Sequence, residues 1–304
     1  MTPTVADGAA LFEAHRAHLF GVAYRMLGSV MEAEDAVQDA WLRWQAAPRD
    51  DVANPRAWLV TTVTRLCLDA LTSARARRET YTGPWLPEPL LTAREPSSSP
   101  SERIEHAESI SFAFLLLLER LGPVERAVFL LHDVFDYGYG EIAAMVGKSE
   151  AACRQVLHRA RERVAEPRRR FNASYDERLR LTRRFIEASG HGDMAGLIAI
   201  LAPDAALSSD GGGVVAAARN VIRGAEKVAR LSLALPRKVP RERVQYVEVN
   251  GAPAVLLFAR GRLDTVMVMD VDDGRITDLH SIRNPEKLHA LVRALGGEHT
   301  NARM

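Results

Sequence analysis

Four residues in the last third of the chain have side chains suited to acid–base work: Asp210, Tyr246, Asp264 and His280. Asp210 opens the run "DGGG", which continues through Gly211, Gly212 and Gly213. A phosphate-binding loop of the Walker type ends in Gly-Lys-Ser/Thr. Here Val214 and Val215 follow instead. A dinucleotide fingerprint needs spaced glycines inside a βαβ unit, and a strand-rich meander follows here. Two readings remain for the glycines: a mobile turn, or a loop that lets another backbone come close. No motif sets a nucleophile beside a base, so the expectation is no enzyme, no catalytic residue and no cofactor. His15 and His18 can share a helix face, but nothing completes a zinc site, so no metal is expected either.

A second kind of chemistry is carried by "YGEIAAMVGKSEAACRQVLHRARERV". A short helix bearing Ile142, Ala143 and Val146 meets a turn at Gly147-Lys148. Ser149 suits a helix N-cap, and Glu150 suits the positive end of the helix dipole. Ala152, Cys153, Val156 and Leu157 form a buried stripe at i, i+3, i+4 spacing. Arg154, Gln155, His158, Arg159 and Arg161 project from other faces. That is a helix-turn-helix whose second helix can read base edges with its early residues and hold phosphates with its later arginines. A helical hairpin with a solvated basic face is the plainer alternative.

The elements that must position these residues follow from composition. The chain has 304 residues, enough for two or three domains. Its net charge is +1, so any DNA-binding patch must be local. Lysine occurs only at Lys148, Lys227, Lys238 and Lys287, and every other basic residue is arginine. Cys67 and Cys153 lie among apolar neighbours without a framework of pairs, which points to a reducing cytoplasm. No apolar run approaches the ~20 residues of a membrane helix, so no membrane partner is expected.

Helical patterns run from Leu11 to Arg78 and again from Glu102 to Arg170. Between them "ETYTGPWLPEPLLTAREPSSSPS" reads as a linker. After Tyr175 come two amphipathic helices, one carrying Leu181, Phe185 and Ala188, the next Met194, Leu197, Ile198 and Leu201, with Asp193 as N-cap. Then "RVQYVEV", "PAVLLFA", "TVMVMDV" and "RITDLHSI" alternate with Asn250-Gly251, Arg260-Gly261 and Asp273-Gly274. These are hairpin signals, so the tail is expected to be α+β with helices on an antiparallel sheet.

"EDAVQDAWLRW" and "NPRAWLVTTVTRLCLDALTSARARR" resemble the second domain of the sigma-70 superfamily, and "SEAACRQVLHRARERV" resembles the recognition helix of its fourth domain. The order, with no third domain between, resembles an extracytoplasmic-function (ECF) sigma factor. The resemblance implies core RNA polymerase and promoter DNA as partners. It places Glu34, Asp35, Gln38 and Asp39 on polymerase. It places Asn54, Arg56, Trp58, Thr61, Thr64 and Arg65 on the −10 element. Trp58 is a stacking candidate, although Trp41, Trp44 and Trp58 also fit a core. Arg75, Arg77 and Arg78 form a phosphate clamp or a solvated helix end. Ser149, Glu150, Arg154, Gln155, His158, Arg159 and Arg161 would meet the −35 element.

The tail resembles the SnoaL-like branch of the cone-shaped NTF2-like fold. One ECF subgroup carries such an extension together with three signatures, near-matched here by "WLPEPL", "DGGG" and "NPEKL". Val214 stands where the subgroup has a basic residue, and Glu286 where it often has Asp. The expected organisation is multidomain: all-α sigma domain two at 9–78, linker at 79–106, all-α helix-turn-helix domain four at 107–170, and the α+β tail at 171–304. Trp85, Pro87, Asp210, Gly211, Gly212, Gly213, Asn284, Pro285 and Lys287 are expected to form one regulatory contact between the tail and the sigma domains. The expected function is promoter-specific initiation modulated in cis by the tail. The alternative is a ligand-sensing or enzymatic cone fused to a DNA-binding regulator, with a small molecule as its partner.

Overall fold

The computed structural model describes residues 5–47, 52–79, 81–92, 110–164, 173–238 and 241–296. The chain divides into two compact units, Met1–Glu79 with Leu115–Pro167, and Thr80–Phe114 with Arg168–Met304. Sequence alone placed 79–106 as linker and 107–170 as domain four. In the structure the described residues 81–92 and 110–114 group with the tail.

The first unit is helical. Helices α1 (Val5–Leu27), α2 (Val30–Ala46) and α3 (Pro55–Glu79) pack on one another. Ser29 starts α2 by accepting the Glu32 N–H at 3.2 Å. Leu19, Met26, Val37, Trp44, Leu59 and Cys67 fill the shared core. Trp44 satisfies its indole N–H on the Gly8 carbonyl at 3.0 Å, so the ring is buried without an orphaned donor. A short helix α4 (Phe112–Leu118) spans the boundary between the units. Helices α5 (Pro123–Asp133), α6 (Tyr139–Val146) and α7 (Glu150–Val164) follow. Gly147 ends α6 with φ +67, the left-handed conformation that turns the chain sharply into α7. Ser149 Oγ then accepts the Ala152 N–H at 3.2 Å. Ile142 and Met145 of α6 are buried, as are Cys153, Val156, Leu157 and Ala160 of α7, as the stripe predicted.

The second unit holds one six-stranded sheet of order β2-β1-β6-β5-β4-β3. Its strands are β1 (Leu201–Asp210), β2 (Ile222–Arg223), β3 (Arg243–Val249), β4 (Ala252–Ala259), β5 (Arg262–Asp272) and β6 (Arg275–Ile282). Helices α8 (Tyr175–His191), α9 (Met194–Ile200) and α10 (Ala225–Lys238) pack on it, and α11 (Pro285–Ala294) follows β6. Phe185, Leu197, Ile200, Val228, Met267, Met269 and Leu279 fill the space between helices and sheet. This is the cone-type arrangement implied by the resemblance, with its interior occupied by side chains.

All three hairpin signals hold. Asn250, Gly251, Arg260, Gly261, Asp273 and Gly274 all have positive φ, the geometry of two-residue turns matched to sheet twist. Three expectations need correction. The sheet is mixed, because β1 and β6 run parallel. Leu201 begins β1, and Ile200 supplies the buried position in α9 while Ile198 is exposed. The reading of the tail as two helices and four strands also missed β1, β2, α10 and α11.

Candidate DNA-binding, polymerase-binding and linker surfaces

On α2 the buried residues Ala33, Ala36, Val37 and Ala40 face the core. Glu34, Asp35, Gln38 and Asp39 are all exposed between them. The helical period thus presents one acidic strip, flanked by the exposed apolar side chains of Met31 and Leu42.

On α3 the six expected −10 residues separate. Thr64 is fully buried and cannot meet a DNA strand in this arrangement. The helical period that sets Thr61 and Arg65 on one face turns Thr64 towards the core side, with Val60 and Cys67. Trp58 is half-buried, its ring tilted against Trp44 at 5.5 Å, so it belongs partly to the core. Asn54 Oδ1 caps the Ala57 N–H at 3.1 Å, and Thr61 Oγ1 donates to the Ala57 carbonyl at 2.7 Å. Arg65 is exposed, yet its guanidinium donates to the carbonyls of Ala144 at 2.9 Å and Met145 at 3.2 Å. Those are terminal carbonyls of α6, which have no partner within their own helix and carry the negative end of its dipole.

Further ties join the same two modules. Arg126 donates to the Met26 carbonyl at 2.7 Å and pairs with Glu119 at 2.8 Å. His18 Nε2 lies 2.9 Å from the Tyr137 hydroxyl. Arg56 sits 5.9 Å from the Tyr137 ring centre and Arg25 5.3 Å from that of Phe135. Burial lowers the His18 pKa, and the neighbouring Arg56, His15 and Arg25 lower it further. The side chains of Arg75, Arg77 and Arg78 lie outside the described residues.

On α7, Arg154, Gln155, His158, Arg159 and Arg161 are all exposed, opposite the buried stripe. Ser149 and Glu150 stand exposed at its start. Arg154 pairs with Glu150 at 2.9 Å and lies over the Tyr139 ring at 4.9 Å. Arg161 grips Asp133 with two nitrogens, at 2.6 and 3.0 Å, which fixes it against α5. Gln155 and Arg159 complete the outward face.

In the second unit the three short signatures converge. Asp210 ends β1 and is wholly buried. Its carboxylate accepts from the Tyr81 hydroxyl at 2.6 Å, the Leu86 N–H at 2.9 Å, the Gly212 N–H at 3.0 Å and Lys287 Nζ at 2.7 Å. Its carbonyl accepts the N–H groups of Arg283 and Asn284. Lys287 also donates to the Leu86 carbonyl, and lies 4.2 Å from the Trp85 ring centre. Asn284 caps α11 through the Glu286 N–H, beside Pro285 at its first turn, and donates to the Tyr81 hydroxyl at 3.1 Å. Burial, then the hydrogen bond to Asp210, raises the Tyr81 pKa. Leu86, Pro87, Glu88 and Pro89 are buried.

The glycines are explained by close approach. A Cβ on Gly212 would collide with the Asn284 amide, and one on Gly211 with the Val215 carbonyl. Gly212 also needs φ +62. Gly213 is exposed and faces Thr82. Tyr81 was missed by sequence reading, because nothing local to a tyrosine announces a partner 129 positions away.

The four acid–base candidates are not brought together. Asp210 serves the linker. Tyr246 lies beneath Arg183 at 5.4 Å. Asp264 is held by Arg283 at 3.1 Å. His280 pairs with Asp270 at 3.0 Å, both buried, with the Phe112 ring stacked on it at 5.7 Å.

Residues 11–77 match the sigma-70 region 2 family, and residues 111–164 match sigma-70 region 4. The ECF RNA polymerase sigma factor SigJ of Mycobacterium tuberculosis is 40% identical over 288 residues, covering 91% of each chain. The probable ECF RNA polymerase sigma factor SigI of the same organism is 36% identical over 293 residues, covering 95% of this chain and 97% of its own. The crystal structure of M. tuberculosis SigJ superposes with a TM-score of 0.73 at 37% identity, over 92% of this chain and 98% of that one. The shared length runs through both helical modules and the tail, and on that basis the chain belongs to the ECF RNA polymerase sigma factors.

Proposed function

We propose that this sigma factor, which directs RNA polymerase to promoters, rests in a closed form and is regulated in cis by its tail. In this reading the strip Glu34, Asp35, Gln38 and Asp39 docks on core polymerase. Asn54, Arg56, Trp58, Thr61 and Arg65 meet the −10 strand. Ser149, Glu150, Arg154, Gln155, His158, Arg159 and Arg161 face the −35 element, with phosphate contacts from the later arginines.

The observation that carries the reading is the position of Arg65. A guanidinium facing the −10 strand is spent on the carbonyls that end α6. Elements named about 25 base pairs apart lie about 80 Å apart at 3.4 Å per base pair. A 15-residue helix such as α7 spans only about 22 Å. Two modules in hydrogen-bond contact therefore cannot read both elements at once. Opening must come first, and Arg65 exchanges α6 carbonyls for phosphate. Trp85, Pro87, Asp210, Gly211–Gly213, Asn284, Pro285 and Lys287 tie the linker to the tail, so the tail governs the segment that joins the two modules.

Run-off transcription with core polymerase tests this. The full chain is compared with a form ending near Arg170 and one lacking the NPEKL segment, on a promoter drawn from the region upstream of the protein's own gene. Different activity in the shortened forms supports control in cis. Equal activity in all three removes the tail from the mechanism.

A further inference from the structure

Asn250 occupies the first position of the β3–β4 turn, with φ +53, and is wholly buried. Local reasoning explains it as a turn residue tolerant of positive φ. Its hydrogen bonds say more. Its backbone N–H donates to the Leu90 carbonyl at 2.9 Å, and its Oδ1 accepts the Leu90 N–H at 3.0 Å. Its Nδ2 donates to the Ile110 carbonyl at 2.7 Å. Leu90 offers a donor and Ile110 an acceptor, so this network fixes the amide in one orientation. Around it, Leu91 bridges Val249, the Thr92 N–H reaches the Glu248 carbonyl at 3.0 Å, and Thr92 Oγ1 accepts the Gly251 N–H at 3.0 Å.

One side chain thus grips both ends of the segment between Leu90 and Ile110. Bonds of these lengths from one planar amide leave the two ends within about 8 Å of each other. This segment belongs to the only covalent path between the two DNA-reading modules, Thr80–Phe114. We propose that Asn250 is a positioning residue that sets the reach between those modules, by removing the stretch between Leu90 and Ile110 from the tether. The inference rests on the promoter-reading roles given above.

The lengths make the effect directional. At full extension a tether of about 35 residues reaches at most about 120 Å, whereas with Leu90 and Ile110 clamped about 16 residues count and reach at most about 55 Å, the part from Tyr81 to Pro89 staying docked on the tail in both cases. Adding the radii of two small modules, about 10 Å each, brings the clamped span close to the ~80 Å that separates the elements. Clamping therefore penalises lengthened spacers and leaves shortened ones alone. A tether that cannot span its sites loses effective concentration towards zero.

The test uses the full chain, core polymerase and a promoter series whose spacer is changed by up to three base pairs either way. The readout is the transcript ratio of long to native spacer. Asn250→Gly removes the amide while suiting the positive φ. Asn250→Asp keeps the turn and the Leu90 bond but faces the Ile110 carbonyl with an oxygen. The native chain is expected to lose transcript about tenfold or more on the longest spacers, and both variants about threefold or less. Ten Gly-Ser residues inserted between Ser98 and Ser99 leave the native ratio unchanged, because the clamp bypasses them.

An insertion that rescues long spacers by itself overturns the proposal, since the clamp is then open during initiation. So does a variant that lowers all spacers equally, which marks a merely structural role. Amide hydrogen exchange reports on the clamp without any promoter. Leu90 exchange is expected to be at least about tenfold faster in N250G than in the native chain, and an unprotected Leu90 in the native chain removes the clamp. Absence of transcript from the native chain at every spacer, with Leu90 still protected, sinks the promoter-reading roles and the spacing function resting on them, while the clamp itself stands.

Discussion

Two contacts among the described residues are built differently. Between the helical modules, cationic and polar side chains reach across: Arg65 to the end of α6, Arg126 to Met26, and His18 to Tyr137. Arg65 is exposed to solvent. Between linker and tail, Asp210 is wholly buried among four donors, and Leu86 through Pro89 are buried with it. Water competes at the Arg65 bonds of the first contact, where Arg126 is itself buried, and is excluded from Asp210 in the second. On the proposed mechanism, the difference says which joint opens. A joint made by an exposed arginine on helix-end carbonyls can trade partners with a phosphate. A joint centred on a desolvated carboxylate stays shut unless all its partners are replaced together.

The largest expected effect probes the buried joint. Asp210→Ala removes the carboxylate that Lys287 pairs with beside Leu86, and costs about 3–5 kcal/mol of tail stability. Urea unfolding of the full chain measures it; a loss under about 1 kcal/mol breaks the contrast between the joints. Gly212→Ala adds a methyl group into Asn284 at positive φ, and costs about 2 kcal/mol. Thermal unfolding checks this, and an unchanged midpoint shows that the glycine loop does not approach α11 as described.

Arg65→Ala acts on the other joint and costs about 1 kcal/mol, because the guanidinium is solvated. Fluorescence energy transfer between dyes on α2 and α7 should fall as the modules part. Undiminished transfer means that Arg65 is incidental to closure.

The smallest effect separates the joints by pH. The His280 pKa is raised: burial alone lowers it, but the hydrogen bond and charge of Asp270 prevail. A raised value adds tail stability below the ordinary histidine pKa near 6.5, lost as pH climbs through the folded-state value. The His18 pKa is lowered, so its contribution to the helical unit is present above about 6.5 and lost as pH falls. Unfolding followed from about pH 5.5 to 8.5 should show opposite trends in the two units. Parallel trends exclude the two histidines as their source. Replacing His280 by Asn should flatten only the tail's trend.

The sequence carried a large part of this architecture. The stripe on α7, its Ser149 cap and the Gly147 turn are local devices, legible because neighbours within four residues determine them. The three Gly-containing hairpin turns are local in the same way. The acidic residues of α2 were singled out by the resemblance, and helical period explains why they share one exposed strip. Thr64 failed because a threonine within a mixed polar face carries no mark of which way the helix turns it. Strand β1 failed because "LAPDAALSSD" contains a proline and acidic residues, and is held as a strand by its parallel pairing with β6 rather than by its own pattern.

By itself the sequence determined the two helical modules, because period, caps and turns are encoded over short spans, and the resemblance of their motifs pointed to the family and to the residues proposed for polymerase and DNA. It also marked the DGGG, WLPEPL and NPEKL signatures as partners. Tertiary structure alone decided what each one grips. Asp210 reaches Tyr81, Asn250 reaches Leu90 and Ile110, and Arg65 reaches Ala144, all across separations of at least 79 positions. Such pairings depend on where the folded chain brings distant backbone groups, and a buried donor or acceptor takes whatever complementary group the fold delivers.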